Sequence, residues 1–279
     1  MIQIRLTLFV ASLLGGAFAP VRAQTAADID RMYAPVPFGP GERMTYKVSV
    51  GALRQVGNSV IEIQDIDTIQ GAPTYQMRMN IKGGIPFAHL DNTYQSWFDM
   101  EGLFSRRYRQ DTHEVGKKRK RSYEFSLSEK RWRRLDLSPT HKDYTGVMPT
   151  DQPLDDLSFL YFARTLPLVV GQTYTLPRYF REDGNPVVLK VLRKDRIDLK
   201  TLGQFATIVV QPIIETDGLF SEGGNAEVHF TDDDRRIPVY IKAGVSSVPL
   251  LKTLKMELVR YEPGRRLSPP FKPGENSGQ

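Results

Sequence analysis

The chain has 279 residues, 40% hydrophobic and 25% charged, with a formal net charge of +6 and no cysteine. The lack of cysteine excludes disulfides, thiolate metal sites and lipid attachment through a first-residue cysteine, so an exported form of this chain must stand on its core. The composition is that of an ordinary globular protein, and the mild positive excess excludes no class of partner by itself.

Met1 to Arg5 form a short basic stretch, and Leu6 to Ala19 form an apolar run interrupted only by Ser12, Gly15 and Gly16. Val21-Arg22-Ala23 then supplies a cleavage motif, which predicts a signal peptide over 1–23, cut before Gln24. The run is too short for a membrane anchor, which needs roughly 20 apolar residues as a helix. Loss of Arg5 and Arg22 lowers the net charge from +6 to +4. No second long apolar run occurs, so the mature chain is expected to lack a transmembrane segment and to work in the periplasm, ahead of an extracellular destination.

Residues 24–37 read as a linker in which Pro35 and Pro37, with Pro40 beyond them, prevent a long helix. From Phe38 to Glu262 the dominant signal is period-two alternation bounded by turn residues, which predicts a single β-rich domain. The first predicted strands are Met44–Val50, Ser59–Gln64, Tyr75–Lys82, Asn92–Asp99 and Phe104–Asp111. Between the second pair of these lies the glycine-flanked apolar stretch Gly83 to Leu90, whose Ile85 and Phe87 would gate a concavity or plug it.

The next predicted strands, Ser122–Leu127 and Arg131–Leu135, form a hairpin turning near Ser128-Glu129 and flanked by two cationic runs. These are Lys117-Lys118-Arg119-Lys120-Arg121 and Arg131-Trp132-Arg133-Arg134, the second preceded by Lys130. Strand pairing is expected to bring them together as a patch for an anionic envelope surface; a solvated, charge-blunted edge is the other reading, and nucleic acid ranks below both.

Leu154 to Thr165 lacks alternation and is apolar nearly all round a helical wheel, which predicts a buried helix with Pro153 in its first turn and Pro167 as its stop. Asp155 and Asp156 suit its positive end. The strands resume at Val187–Ile197, Gln204–Pro212, Ala226–Thr231, Ile237–Ala243 and Leu251–Tyr261. Within them, Gly218 to Gly224 carries Leu219 and Phe220 as a second apolar loop. Residues 263–279 are rich in proline and glycine and read as a disordered tail.

About twelve strands joined by short turns predict one large curved antiparallel sheet, a half-barrel or open barrel wrapped around the helix. Phe159, Leu160 and Phe162 on that helix, with Ile85, Phe87, Leu219 and Phe220, are then the candidate contacts for a lipid or other apolar ligand.

Four motifs in order carry a resemblance. Phe38-Gly39-Pro40-Gly41-Glu42 with Tyr46, Asp99 with Leu103-Phe104-Ser105-Arg106, Asp156 to Arg164, and Asp232 to Val239 resemble the bacterial exported family catalogued as domain of unknown function 3108. The resemblance implies an envelope-associated β-rich domain and brings no catalytic residues with it. The expected architecture is also similar to the half-barrels of periplasmic lipoprotein carriers, an analogy of fold alone.

Catalytic chemistry has little to build on. His89, His113, His141 and His229 form no spaced metal pair, no Gly-x-Ser-x-Gly elbow occurs, and Gly83-Gly84 and Gly223-Gly224 lack the setting of a phosphate loop, so no cofactor is expected. Asp232-Asp233-Asp234 offers oxygen ligands for calcium, or a tight turn whose aspartates bond their own backbone. Three functional classes remain: a non-catalytic carrier of an apolar or amphipathic ligand, an envelope adaptor acting through the basic hairpin, and a hydrolase with an unfamiliar site.

Overall fold

The computed structural model describes residues 36–51, 53–85, 88–114, 117–176, 178, 186–213, 226–244 and 253–266, with the backbone alone for Arg54, Ile85, Ala88, Glu114 and Lys117. The expected signal peptide and residues 24–35 lie outside these, as do Phe87, Leu219, Phe220 and residues 267–279.

Fourteen strands and one helix make up the described residues. They run β1 (Arg43–Val50), β2 (Leu53–Ile69), β3 (Ala72–Ile85), β4 (Ala88–Asp99), β5 (Ser105–Glu114), β6 (Lys117–Ser126), β7 (Arg131–Ser138) and β8 (Lys142–Val147). Helix α1 (Asp156–Ala163) follows, then β9 (Thr173–Leu176), β10 (Val187–Leu199), β11 (Gly203–Ile213), β12 (Glu227–Thr231), β13 (Pro238–Gly244) and β14 (Thr253–Glu262).

All fourteen form one antiparallel sheet in the order β8-β7-β6-β5-β4-β3-β2-β1-β14-β13-β12-β11-β10-β9. The chain therefore starts in the middle of the sheet, steps outward to the β8 edge and crosses by way of α1 to the β9 edge. It then steps back until β14 pairs with β1, from Arg43↔Glu262 to Val50↔Leu254. Every other pairing joins neighbours in sequence, as short connections favour. Among the described residues the sheet is open, with β8 and β9 as its edge strands.

It also curls. In a flat sheet β10 and β14, with three strands between them, would lie about 19 Å apart at ~4.8 Å per strand; here their Cα atoms approach within 8 Å. The concave side receives one row of alternating side chains from each strand, such as Met44, Tyr46 and Val48 of β1 or Leu254, Met256 and Leu258 of β14. Residues Leu157 to Ala163 of α1 are all buried among them, which is the environment that a helix apolar on every side requires. A separate, smaller core unites Tyr108, Tyr123, Phe125, Trp132 and Met148 under β5–β7.

The structure departs from the sequence expectation in four places. β8 was not expected because it is exposed on both faces except at Gly146, so an edge strand carries no burial period. β9 has only four residues. β2 extends well beyond Ser59–Gln64 on both sides, and its close pairing with β3 depends on Gly57↔Gly83, since a Cβ on Gly57 would meet the Lys82 carbonyl oxygen at 2.2 Å. Helix α1 begins at Asp156 with Asp155 as its N-cap, which leaves Pro153 outside the helix and not in its first turn. Among the described residues no helix is long and apolar enough to cross a membrane.

Candidate functional site

Alternation decides where the basic residues go. Cross-strand partners project from one face of a sheet, and the pairs Ser96↔Tyr108, Tyr108↔Tyr123 and Tyr123↔Arg134 continue the inner face from β4 to β7. That this is the inner face follows from Ser96, whose hydroxyl bonds Asp155 at the cap of α1. Arg119 and Arg121 (opposite Thr112 and Gln110), Arg134 (opposite Tyr144) and Lys142 (opposite Asp136) share it. Lys118, Lys120, Arg131 and Arg133 point to the outer face.

The register does not lay one cationic run beside the other. Arg121 pairs with Asp136 and Ser126 with Arg131, so the runs sit towards opposite ends of the β6–β7 hairpin. What meets is one member of each: Arg121 and Arg134 both bind Asp136, at 3.2 and 3.0 Å.

Ion pairs occur on both faces. On the outer face, Arg107 pairs with Glu124 (2.5 Å), Lys120 with Asp111 (3.2 Å) and Arg133 with Asp143 (2.6 Å). The hydrogen bond from Arg133 holds the Asp143 carboxyl below the usual carboxylate range. On the inner face of β6–β8, Arg119, Arg121, Arg134 and Lys142 share the side of Asp136, which lies within ion-pair distance of Arg121 and Arg134.

Below this rim lies an aromatic row. Tyr94 and Tyr108 stack at 6.5 Å, Tyr108 and Tyr123 follow at 6.0 Å, and Tyr123 and Phe125 at 6.4 Å. Trp132, opposite Phe125, completes it. The Arg134 guanidinium lies 4.2 Å from the centre of the Tyr144 ring, a cation–π contact at the mouth. Tyr94, Tyr108, Tyr144 and Lys142 were missed by the sequence reading; the signal for them was the alternation on β5 and β8, which is readable only once partners are known.

The other polar groups that converge are structural. The Asp155 carboxylate accepts the backbone N–H groups of Leu157 and Ser158 (2.9 Å each) and the hydroxyls of Ser96 and Ser105 (2.6 Å each). Ser158 returns a hydroxyl oxygen to the Asp155 N–H at 2.8 Å. This is a capping box that also pins the helix to β4 and β5. Burial pushes the Asp155 carboxyl up, against the pull of those four bonds.

At the other end of α1, Arg164 and Glu42 form a bidentate pair (2.7 and 2.9 Å) with side-chain exposures of 0% and 1%. Arg164 also donates to the Arg235 carbonyl at 3.0 Å, and the Tyr261 hydroxyl donates to Glu42 at 3.1 Å. Burial pulls Arg164 down, but the Glu42 carboxylate outweighs it and raises Arg164 above its ordinary value. Burial and Glu42 push the Tyr261 hydroxyl up to about 12.

The motif beginning at Phe38 thus supplies the counter-ion of the helix C-terminus. Its Gly39 lies so close to the chain after β14 that a Cβ there would meet the Arg265 carbonyl oxygen at 1.9 Å. Asp99 binds Arg106 at 2.5 Å, and Asp233 accepts from the Thr231 hydroxyl and the Arg235 and Arg236 N–H groups, as a tight turn requires.

Phe159, Leu160 and Phe162 are packed within the main core, with the Arg178 guanidinium 4.2 Å from the Phe162 ring. The Ile85 side chain, Phe87, Leu219 and Phe220 lie outside the described residues. His229 faces outward against Tyr240, and burial lowers its pKa. Among the described residues no group of three His, Asp or Glu side chains is placed to hold a metal ion.

No curated protein matches this chain. Two solved structures are similar in part. A β-barrel-like protein of domain of unknown function DUF1849 from Brucella abortus is 11% identical, with 83% of this chain and 98% of that one covered and a TM-score of 0.48. A protein from Bacteroides fragilis described as exported, with a YmcC-like fold, is 10% identical over 82% of this chain and 99% of that one, with a TM-score of 0.28. The family model described as "Protein of unknown function (DUF3108)" matches residues 44–250, the span that holds β2–β13 and α1 and most of β1. The chain belongs to this DUF3108 family.

Proposed function

We propose that this chain is a non-catalytic binding module of the bacterial envelope, working in the periplasm after removal of residues 1–23. In this reading it holds an apolar or amphipathic ligand against the concave face of its sheet. The observation that carries the reading is the contrast along that face. Helix α1 packs against β3 and β4, and beyond β4 the same face continues as a stacked aromatic row that ends in a rim of arginine and lysine. Small-molecule sites combine such apolar linings with a few placed polar groups.

A hydrolytic reading finds less support. The serine hydroxyls at the start of α1 are buried donors to a helix cap, and both oxygens of Asp155 are engaged.

Native mass spectrometry and solvent extraction of protein purified from its own envelope test the reading. A co-purifying molecule with an apolar part is expected, and protein recovered bare would overturn it. Cell fractionation with N-terminal sequencing tests the location: periplasmic protein beginning at Gln24 is expected, and cytoplasmic protein retaining Met1 would refute it.

A further inference from the structure

We propose that this chain self-associates through β8, and that the occupant of that edge is the β8 strand of a second copy, laid antiparallel about a two-fold axis at Thr145. This is independent of the binding-module reading, because it uses the edge of the sheet and not its concave face.

Register decides which backbone groups of β8 are committed. β8 pairs with β7 from Arg131↔Val147 to Asp136↔Lys142 without a shift, and the Met148 N–H continues that ladder by donating to the Lys130 carbonyl oxygen at 2.9 Å. Antiparallel bonds alternate from residue to residue, so Lys142, Tyr144 and Gly146 direct their N–H and C=O groups to β7. Asp143, Thr145 and Val147 direct theirs to the edge, where no described residue pairs with them. Such a row of unpaired groups is a template for another strand. β8 lacks the devices that blunt an edge: it holds no proline and no bulge, and its one lysine stands at its first residue.

The sequence of β8 fits itself. A single antiparallel register sets every edge-directed residue opposite another: Thr145 faces the partner's Thr145, and Asp143 faces the partner's Val147. The same register sets Tyr144 opposite the partner's Gly146 and Lys142 opposite the partner's Met148, so no like charges meet. On the inner face the Trp132 ring fills the space beside Gly146, 2.7 Å from where a Cβ would stand. The partner's Tyr144 then lies across a glycine and beside an indole, a kind of cross-strand neighbour that stabilises sheets. On the outer face Asp143 is held by Arg133 at 2.6 Å, and the row continues through the partner's Val147 to the partner's Arg131, with the acid between the two cations. Tyr144 and Val147 are 37% and 69% exposed in the single chain, and this pairing covers both.

Length sets the strength. β8 has six residues, an edge about 20 Å long at ~3.4 Å per residue, whereas β9 at the other side of the sheet has four. A contact of that length is smaller than the roughly 1,200 Å² of standard stable interfaces, which points to a dimer that forms and separates in the micromolar range.

The test uses the full chain purified from its envelope. Sedimentation from about 1 µM to 1 mM is expected to show a monomer–dimer equilibrium with a Kd of about 10–100 µM. Hydrogen exchange read by NMR is expected to find the Tyr144 and Gly146 amides protected at every concentration, and the Asp143, Thr145 and Val147 amides protected only in the dimer. Thr145→Pro removes the central edge donor, leaves the bonds to β7 in place and should weaken association more than about tenfold. Thr145→Val keeps that N–H, drops the hydroxyl and should change association less than about threefold. V147D sets carboxylates opposite one another twice in the dimer and should weaken it about tenfold, whereas V147K sets a lysine opposite Asp143 and should not weaken it. General repulsion between chains of positive net charge predicts the reverse order, since V147D lowers that charge and V147K raises it.

A monomer at every concentration up to about 1 mM would overturn the proposal. So would a dimer that Thr145→Pro leaves intact, or one that V147K weakens more than V147D. Protection of the Asp143, Thr145 and Val147 amides in the monomer would also overturn it, because the chain itself would then cover the edge. Where Thr145→Pro loses the protection of Tyr144 and Gly146, the contrast between V147D and V147K decides.

Discussion

Around α1 the inner face of the sheet meets apolar side chains from β1–β3 and β10–β14, and Glu42 and Arg164, buried at the helix C-terminus, neutralise each other. Over β6–β8 the same face carries arginine and lysine beside Asp136 and an aromatic row. Size explains the difference. Fourteen strands at about 4.8 Å spacing make a layer about 60 Å wide, whereas an eight-residue helix is about 12 Å long. One such helix can fill only part of the concavity. The part it fills became a dry core, and the part beyond its reach kept side chains that tolerate water.

That division can be broken most severely at its dry end. Arg164→Ala leaves Glu42 buried without its cation and is expected to cost about 3–5 kcal/mol in urea unfolding. A loss below about 1 kcal/mol would mean that water reaches this pair and that the half around α1 is not dry.

Phe125→Ala probes the wing. It empties part of a small core and is expected to cost about 3 kcal/mol locally. Hydrogen exchange should show faster opening of β5–β7 with β1–β3 unchanged, since stability need not be uniform across a structure. Equal acceleration in both stretches would show a single cooperative unit and remove the contrast.

Asp155→Asn sharpens the comparison at the seam where the helix meets β4 and β5, because asparagine keeps the capping geometry and discards the charge. Burial raises the Asp155 carboxyl in the folded chain, so the native state holds its proton more tightly than the unfolded one. The stability it contributes is full below the ordinary carboxylate value, about 4, and declines as pH rises through the folded value. The variant should lose that decline in urea midpoints measured upward from pH 4, and an unchanged pH profile would place the proton elsewhere.

The smallest effect is expected at Lys120→Ala. This ion pair with Asp111 is more than half exposed on both sides, and its loss should change stability by less than about 0.5 kcal/mol. A larger loss would show that the outer-face pairs bear structural load as Arg164 does.

Most of the architecture was legible in the residues because burial leaves a period. β1, β13 and β14 alternate almost perfectly, and α1 is apolar on every side, so strands and helix announced themselves. β8 did not, since a strand wet on both faces has no reason to alternate. The candidate site was half legible. The two basic runs stood out as sequence, but which cations share a face depends on strand partners distant in sequence, such as Asp136 for Arg121.

The register of β6 with β7 settles the matter. Between Lys120 and Arg121 the register with β7 shifts, so that Ser138 faces Lys120 while Asp136 faces Arg121. One residue more or less in a strand exchanges its faces. Asp136 is the carboxylate that joins the two runs, and its place on the inner side follows from the unbroken register Arg121↔Asp136 to Ser126↔Arg131 together with the salt bridges it makes.

The amino-acid sequence alone determined a cysteine-free chain with an expected export signal, a long series of strands and one helix that had to be surrounded, because each of these rests on local composition or on a repeating pattern of burial. Only the tertiary structure decided that β14 returns to pair with β1, that Glu42 is the counter-ion of Arg164 across 122 residues, and that Arg121 and Arg134 meet at Asp136. These depend on pairing between distant segments, and a charge has no face until its strand has a partner.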